Sequence, residues 1–192
     1  MEAQHLILLL YDSVTNSVFE GQVLKPFHQL LSRGRFSTIT IVSYEKQDFL
    51  ASATTHPITQ QLRNHAPDIT YHFLERPFFW GPFSLRKSIK KLRTFLEGHP
   101  PHTLIARGPI SGYIARKAAT FTTKALTIQA RGLLYEEYCM TQKKQPLLLK
   151  PFHAYRAWHY KNIERHAYAA KTGHPFTVES VTPALTEYLV QN

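Results

Sequence analysis

Residues 102–137, HTLIARGPISGYIARKAATFTTKALTIQARGLLYEE, hold two short apolar runs, HTLIAR and ALTIQA, each closed by an Arg-Gly pair. Between them SGYIARKAATF carries a helical spacing of apolar positions. Two strands joined through a helix must run parallel, because a parallel pair needs a long crossover to return the chain. Both Arg-Gly turns then lie at the carboxyl ends of neighbouring strands, where open α/β sheets bind their ligands. Topology alone therefore brings Arg107, Ser111, Arg131, Glu136 and Glu137 to one edge of a sheet.

The rest of the chain repeats this alternation. HLILLLY, residues 5–11, is a continuous apolar strand of the kind buried on both faces. A loop rich in Ser, Thr and Asn follows, and apolar residues at 23, 24, 27, 30 and 31 mark a helix from about Glu20. STITIVSY at 37–44, DITYHFL at 68–74 and PFTVESV at 175–181 read as further strands, six in all. A helix is expected over 47–65, weakened by Pro57. Others are expected over 84–97, over 151–171 and, opened by a capping hydroxyl from Thr182, over 183–190. No repeat or linker interrupts the order, so residues 1–192 read as one α/β domain with a mostly parallel sheet and helices on both faces. A chain of this length buries roughly 70% of its unfolded surface.

Several chemistries are disfavoured by what the residues lack. Neither Gly-x-Gly-x-x-Gly nor a P-loop occurs, which removes the usual support for a nicotinamide cofactor or an NTPase. Gly-x-Ser-x-Gly is absent around Ser111, which leaves it the first-turn hydroxyl of a helix near a ligand. His153, His159 and His166 share a helix without the i, i+4 step that sets two imidazoles on one metal, so no metal site is expected. The single Cys139 can form no internal disulfide and points to the reducing cytosol. No run approaches the ~18 apolar residues of a membrane span.

A net charge of +10, from 23 basic and 13 acidic residues, points to an anionic partner without saying which. The helix at 84–97 sets Leu85, Ile89, Leu92 and Leu96 on one stripe and Arg86, Lys87, Lys90 and Lys91 around it. Packing on the core with a solvated basic face is one reading. Docking to an acceptor or an anionic membrane is the other, with Phe78, Phe79 and Trp80 of the preceding RPFFWGPF loop beside it. Tyr155, Trp158, Tyr160 and Tyr168 amid Arg156, Lys161 and Arg165 fit a stacking surface for nucleic acid, or core packing, equally well.

The order LIARGP, SGYIARKA, TIQARGLLYEEY, NIERHAYAA and FTVESVTPALTEYL resembles the amino-terminal domain of GT-B glycosyltransferases, specifically the large retaining family four. The resemblance covers nearly the whole chain, through motif order and spacing more than through any single motif. It implies a three-layer Rossmann-like domain that recognises the acceptor and forms one wall of a cleft. The other wall, a donor-binding domain or subunit holding a nucleotide sugar, has no counterpart in these 192 residues, so the chain by itself is expected to bind no cofactor and to be inactive. The acceptor would be a phosphorylated or lipid-linked glycan. The location would be cytoplasmic, with peripheral contact at the inner membrane surface.

Carried over, the loop from Asp12 through Thr15, Glu20 and Gly21 faces donor and acceptor, while Arg107-Gly108 and Arg131-Gly132 close the cleft floor beside Ser111. Guanidinium groups there could grip a phosphate or carboxylate in a bidentate manner, and glycine lets backbone approach a ligand. Equally, the arginines could pair with Glu20, Glu136 or Glu137 and merely fix loops. Relatives place a His or an acidic residue near the end of the fifth strand where this chain has Ala130-Arg131. That leaves Glu136 and Glu137 as fallback catalytic candidates only. A non-catalytic basic module for nucleic acid or an anionic membrane is the competing reading, with nucleic acid the less favoured partner.

Overall fold

The computed structural model describes residues 4–17, 19–77, 82–142, 150–169, 175–180, 182 and 185–186, with 82–84 as backbone. Strands β1 (His5–Leu10), β2 (Thr38–Glu45), β3 (Ile69–Glu75), β4 (His102–Arg107), β5 (Thr123–Ala130) and β6 (Phe176–Ser180) form one sheet. Their order is β3-β2-β1-β4-β5-β6, and every pairing is parallel. All six strands fall where the sequence predicts them. The chain works outward from β1 to β3, then returns to the other side of β1 at β4. That reversal leaves a crevice between the carboxyl ends of β1 and β4.

Alternation along β1 explains the layers. Leu6, Leu8 and Leu10 face one side with Ile39, Ile41 and Ile69, against Val23, Leu24, Phe27, Phe49 and Leu62. Ile7 and Leu9 face the other with Val42, Leu104, Leu126 and Ile128, against Leu85, Leu92, Leu96, Ile114 and Ile163. Each such side chain contributes about 1.5–3 kcal/mol on full burial, which is why β1, covered on both faces, is a continuous apolar run. The chain is a three-layer, Rossmann-like α/β domain.

The helices depart from the sequence expectation in three places, each with a local cause. The first begins as a π-helical turn, Glu20–Leu24, in which the Lys25 N–H reaches Glu20 O, and continues as α1 (Lys25–Ser32). Four residues beyond Gln22 stands Pro26, which has no N–H to give, so the Gln22 carbonyl lacks its α-helical donor. The single helix expected over 47–65 is two, α2 (Gln47–Ala51) and α3 (Pro57–His65). Pro57 cannot continue α2 but suits the first position of α3. Finally α6 (Leu134–Thr141) occupies a stretch for which no helix is expected. Its leading N–H, that of Tyr135, is taken by the Glu164 carboxylate at 3.0 Å, from a helix some thirty residues on.

The remaining helices are α4 (Pro82–Glu97), α5 (Pro109–Ala118) and α7 (Lys150–Tyr168). Helix α5 lies two to three residues earlier than its sequence pattern suggests, so Phe121 falls outside it and is 92% exposed. Gly112 is the contact point of α5 with β5, since a Cβ there would meet Ile128 Cγ2 at 2.6 Å. The Thr182 hydroxyl accepts from the Leu185 N–H at 3.2 Å, the capping contact expected of it, while most of the helix foreseen over 183–190 lies outside the described residues. No helix among the described residues is long and apolar enough to cross a membrane.

Candidate functional site

Sheet topology sets the carboxyl ends of β1, β4 and β5 side by side, and three adjoining hollows of about 170, 240 and 270 Å³ open there, all touching Asp12. Arg107 and Arg131 both line the first two. Ser111, Gly108, Gly132 and Glu137 line the first as well, so the residues expected to meet at the edge do meet, apart from Glu136. Thr15 lines the third hollow, and Glu20 lines a separate one near α3. A larger hollow, about 700 Å³, opens at the amino ends of the strands beside His5 and His102. Helices there present their carbonyl ends, a poor environment for an anion.

Arg107 closes β4 and is nearly buried. Its Nη1 donates to the Gln22 carbonyl at 3.1 Å, the oxygen freed by Pro26, and its Nη2 donates to Gln22 Oε1. Arg131 Nη1 reaches the same Oε1 at 3.5 Å. One neutral amide therefore holds both guanidiniums. Among the described residues neither arginine forms an ion pair, and Glu20 pairs instead with Lys25 at 3.5 Å. The expectation that the arginines are spent on Glu20, Glu136 or Glu137 fails. Burial, and after it the neighbouring charge of Arg131, together lower the Arg107 pKa to about 10 against the opposing pull of Asp12, so Arg107 stays charged at neutral pH. Burial also lowers that of Arg131.

Asp12 is open to solvent on one side yet sits low enough that burial raises its pKa, against the opposing pull of Arg107 and Arg76. Arg76, from the end of β3, donates to the Tyr11 carbonyl at 3.2 Å. Glu45, at the end of β2 and 1% exposed, fixes the loop that carries Asp12. It accepts from the Val14 N–H at 2.8 Å, from the Ser43 hydroxyl at 2.6 Å and from the Ser13 hydroxyl. Ser13 itself has φ +72°, a left-handed conformation that such clamping stabilises.

Gly108 is the N-cap of α5 with φ +82° and ψ 168°, a region essentially closed to other residues, where a side chain would cost roughly 1–3 kcal/mol. Pro109 follows without an N–H, and the first-turn N–H groups of Ile110 and Ser111 have no intrahelical acceptor. Ser111 is fully buried and its hydroxyl has no hydrogen-bond partner; the same holds for the Tyr11 hydroxyl, and both residues line the first hollow. Gln22, Glu45, Arg76 and Tyr11 are the site residues that sequence reasoning overlooks. Only Arg76, standing next to an aromatic loop, carried a signal.

The docking candidates divide. Phe78, Phe79 and Trp80 lie outside the described residues. Arg86, Lys87, Lys90 and Lys91 are exposed on α4, and Lys91 bridges to Glu75 at 2.6 Å. Leu85, Leu92 and Leu96 are fully buried in the core, so the apolar stripe of α4 is not free to enter a membrane. On α7, Tyr160 is core while Tyr155 and Trp158 are exposed, their rings 6.1 Å apart. Among the described residues no group of His, Cys, Asp or Glu is arranged to hold a metal.

Behind the cleft, Glu164 is 8% exposed beneath α6. Burial pushes its pKa up to about 7, the backbone N–H groups of Tyr135 and Leu134 oppose this, and Glu136 and Glu137 add to it. A carboxyl whose folded pKa is raised contributes stability that is present below its unfolded value of 4.5 and lost as pH rises through about 7. Glu164→Gln keeps an acceptor for the Tyr135 N–H and removes the buried charge. Thermal melts should therefore show it more stable than the parent at pH 8 and no more stable at pH 5, whereas an equal change at both would assign Glu164 no titration in this range.

The fold and cleft define a doubly wound, all-parallel α/β protein with a hollow lined by two arginines and two carboxylates at its topological switch point. Comparison with protein-family models, with curated proteins and with solved structures finds no match in any of the three.

Proposed function

We propose that the chain is the acceptor-recognition half of a nucleotide-sugar-dependent glycosyltransferase, completed by a donor-binding domain or subunit. The observation that carries this reading is the convergence of Arg107 and Arg131 with Asp12 and Glu137 on one concave strand-end cleft. Two guanidiniums and two carboxylates together suit a ligand that bears both an anion and hydroxyl donors, as a phosphorylated glycan does. A nucleic-acid backbone, with a phosphate at each residue, would meet the carboxylates unfavourably. The order and spacing of motifs from LIARGP to FTVESV carry the resemblance to the amino-terminal domain of family-four enzymes.

The competing reading, a non-catalytic basic module, draws on the opposite layer. Helices α4, α5 and α7 carry five, two and four lysines or arginines against Glu97 and the buried Glu164. Sugar transfer from a panel of nucleotide sugars, by the purified chain alone and with candidate companion chains, separates the two. Transfer with a companion is the expected result. Transfer by the chain alone would overturn the need for a donor half. Silence in every mixture, with salt-sensitive binding to anionic vesicles, would replace the glycosyltransferase reading with the module.

A further inference from the structure

The first turn of α5 presents the N–H groups of Ile110 and Ser111 at the end of the helix where its dipole favours negative charge. A second observation points the same way independently. The Ser111 hydroxyl is sealed from solvent in a fully buried residue, without a partner, on the wall of the hollow that Arg107 and Arg131 share. Buried hydroxyls are ordinarily hydrogen-bonded, and one left open beside a binding cleft is a place for a ligand atom. A third observation is electrostatic. Arg131 is close enough to disfavour the charge of Arg107, both are held by a neutral amide, and no carboxylate among the described residues reaches either within ion-pair distance.

We infer that the α5 N-terminus, the Ser111 hydroxyl and the guanidiniums of Arg107 and Arg131 form a subsite for a phosphate monoester. A dianion balances the two cations, takes the two N–H groups and gives the Ser111 hydroxyl an acceptor. Gly108, lacking a Cβ and with φ +82°, allows the phosphate to approach the backbone. Asp12 and Glu137 line the same hollow and limit what can be attached to the phosphate: a second phosphate would face them, whereas sugar or polyol hydroxyls would donate to them. The inference rests on the acceptor reading and narrows it to an acceptor whose phosphate is held by this chain alone.

The test is titration of the isotope-labelled chain, followed by amide NMR, with inorganic phosphate, glucose 6-phosphate, a short-chain prenyl phosphate and neutral glucose. The amides of Ile110 and Ser111 should shift downfield with each phosphate and not with glucose. Tighter binding of glucose 6-phosphate or of the prenyl phosphate identifies a soluble or a lipid-borne source. Arg131→Gln, at an exposed position, should weaken binding roughly tenfold through the loss of one charged contact, and Ser111→Ala by several-fold. Ser111→Ala should also leave thermal stability unchanged or raised, since its hydroxyl bonds nothing in the ligand-free chain; a marked loss of stability would overturn its role as a ligand group. Unmoved Ile110 and Ser111 amides, or binding indifferent to both variants, would overturn the subsite. Phosphate binding that needs both residues, in a chain that supports no transfer with any companion, would keep the subsite and remove the glycosyltransferase reading. Phosphate-independent glycan binding with transfer would do the reverse.

Discussion

Glu45→Ala is expected to cost the fold about 3 kcal/mol or more and to release the loop that carries Asp12. The side chain is almost wholly buried, accepts three hydrogen bonds and has no lysine or arginine within ion-pair distance among the described residues. Alanine leaves the Val14 N–H and the Ser43 hydroxyl without an acceptor and Ser13 with Thr15 alone, and each unpaired buried donor costs about 1–3 kcal/mol. Ser13 keeps its contacts with the Thr15 hydroxyl and amide but loses its tie to β2, so the loop should loosen from the sheet together with the loss. Urea unfolding measures the first effect, and hydrogen exchange at the Val14 amide measures the second. Glu45→Gln, which retains one acceptor oxygen, should fall between parent and alanine. An alanine variant within about 0.5 kcal/mol of the parent, the range of an ordinary surface substitution, would mean that the loop holds its own shape.

Gly112→Val should be about as damaging, roughly 3 kcal/mol, from packing instead of polarity. A Cβ at this position would stand 2.6 Å from Ile128 Cγ2, below any ordinary contact. The obstructing atom belongs to a β-branched, fully buried strand residue, which has one stiff χ1 and no free end to swing aside. Replacing glycine in a helix ordinarily gains up to about 1 kcal/mol. Overpacking of 1–3 kcal/mol exceeds that gain for alanine and does so amply for the larger, β-branched valine. Melting temperatures should therefore fall in the order Gly, Ala, Val. An alanine variant more stable than the parent would show that α5 can slide on β5, and the Arg107–Arg131 cleft would slide with it.

Strands are the legible part of this sequence because β1 is a continuous apolar run buried on both faces and the others alternate apolar or β-branched residues with polar ones between polar loops. Helix α6 was not legible: LYEEYCMT has little apolar periodicity, and its first turn depends on a carboxylate supplied by Glu164 from another helix. The break between α2 and α3 is signalled in the sequence by Pro57, which cannot continue the first helix and opens the second. Arg107, Ser111 and Arg131 could be brought together from topology because strand ends are fixed once the parallel sheet is inferred. Glu45 and Gln22 could not, since a charged residue at a strand end and an amide on a helix look in sequence like solvent-facing positions. Their roles exist only through the residues they hold.

Gln22 has a consequence out of proportion to its chemistry. Because the group that restrains both arginines is an amide, it fixes their direction while leaving their charge unspent. A glutamate differs by one atom and would hold them as well, but as an ion triplet, and the hollow they share with Asp12 and Glu137 would become net negative where it is now balanced. Whether the arginines keep their charge unpaired or spend it on a neighbouring carboxylate thus comes down to a nitrogen in place of an oxygen on the first helix, eighty-five residues away in sequence from the arginine it serves.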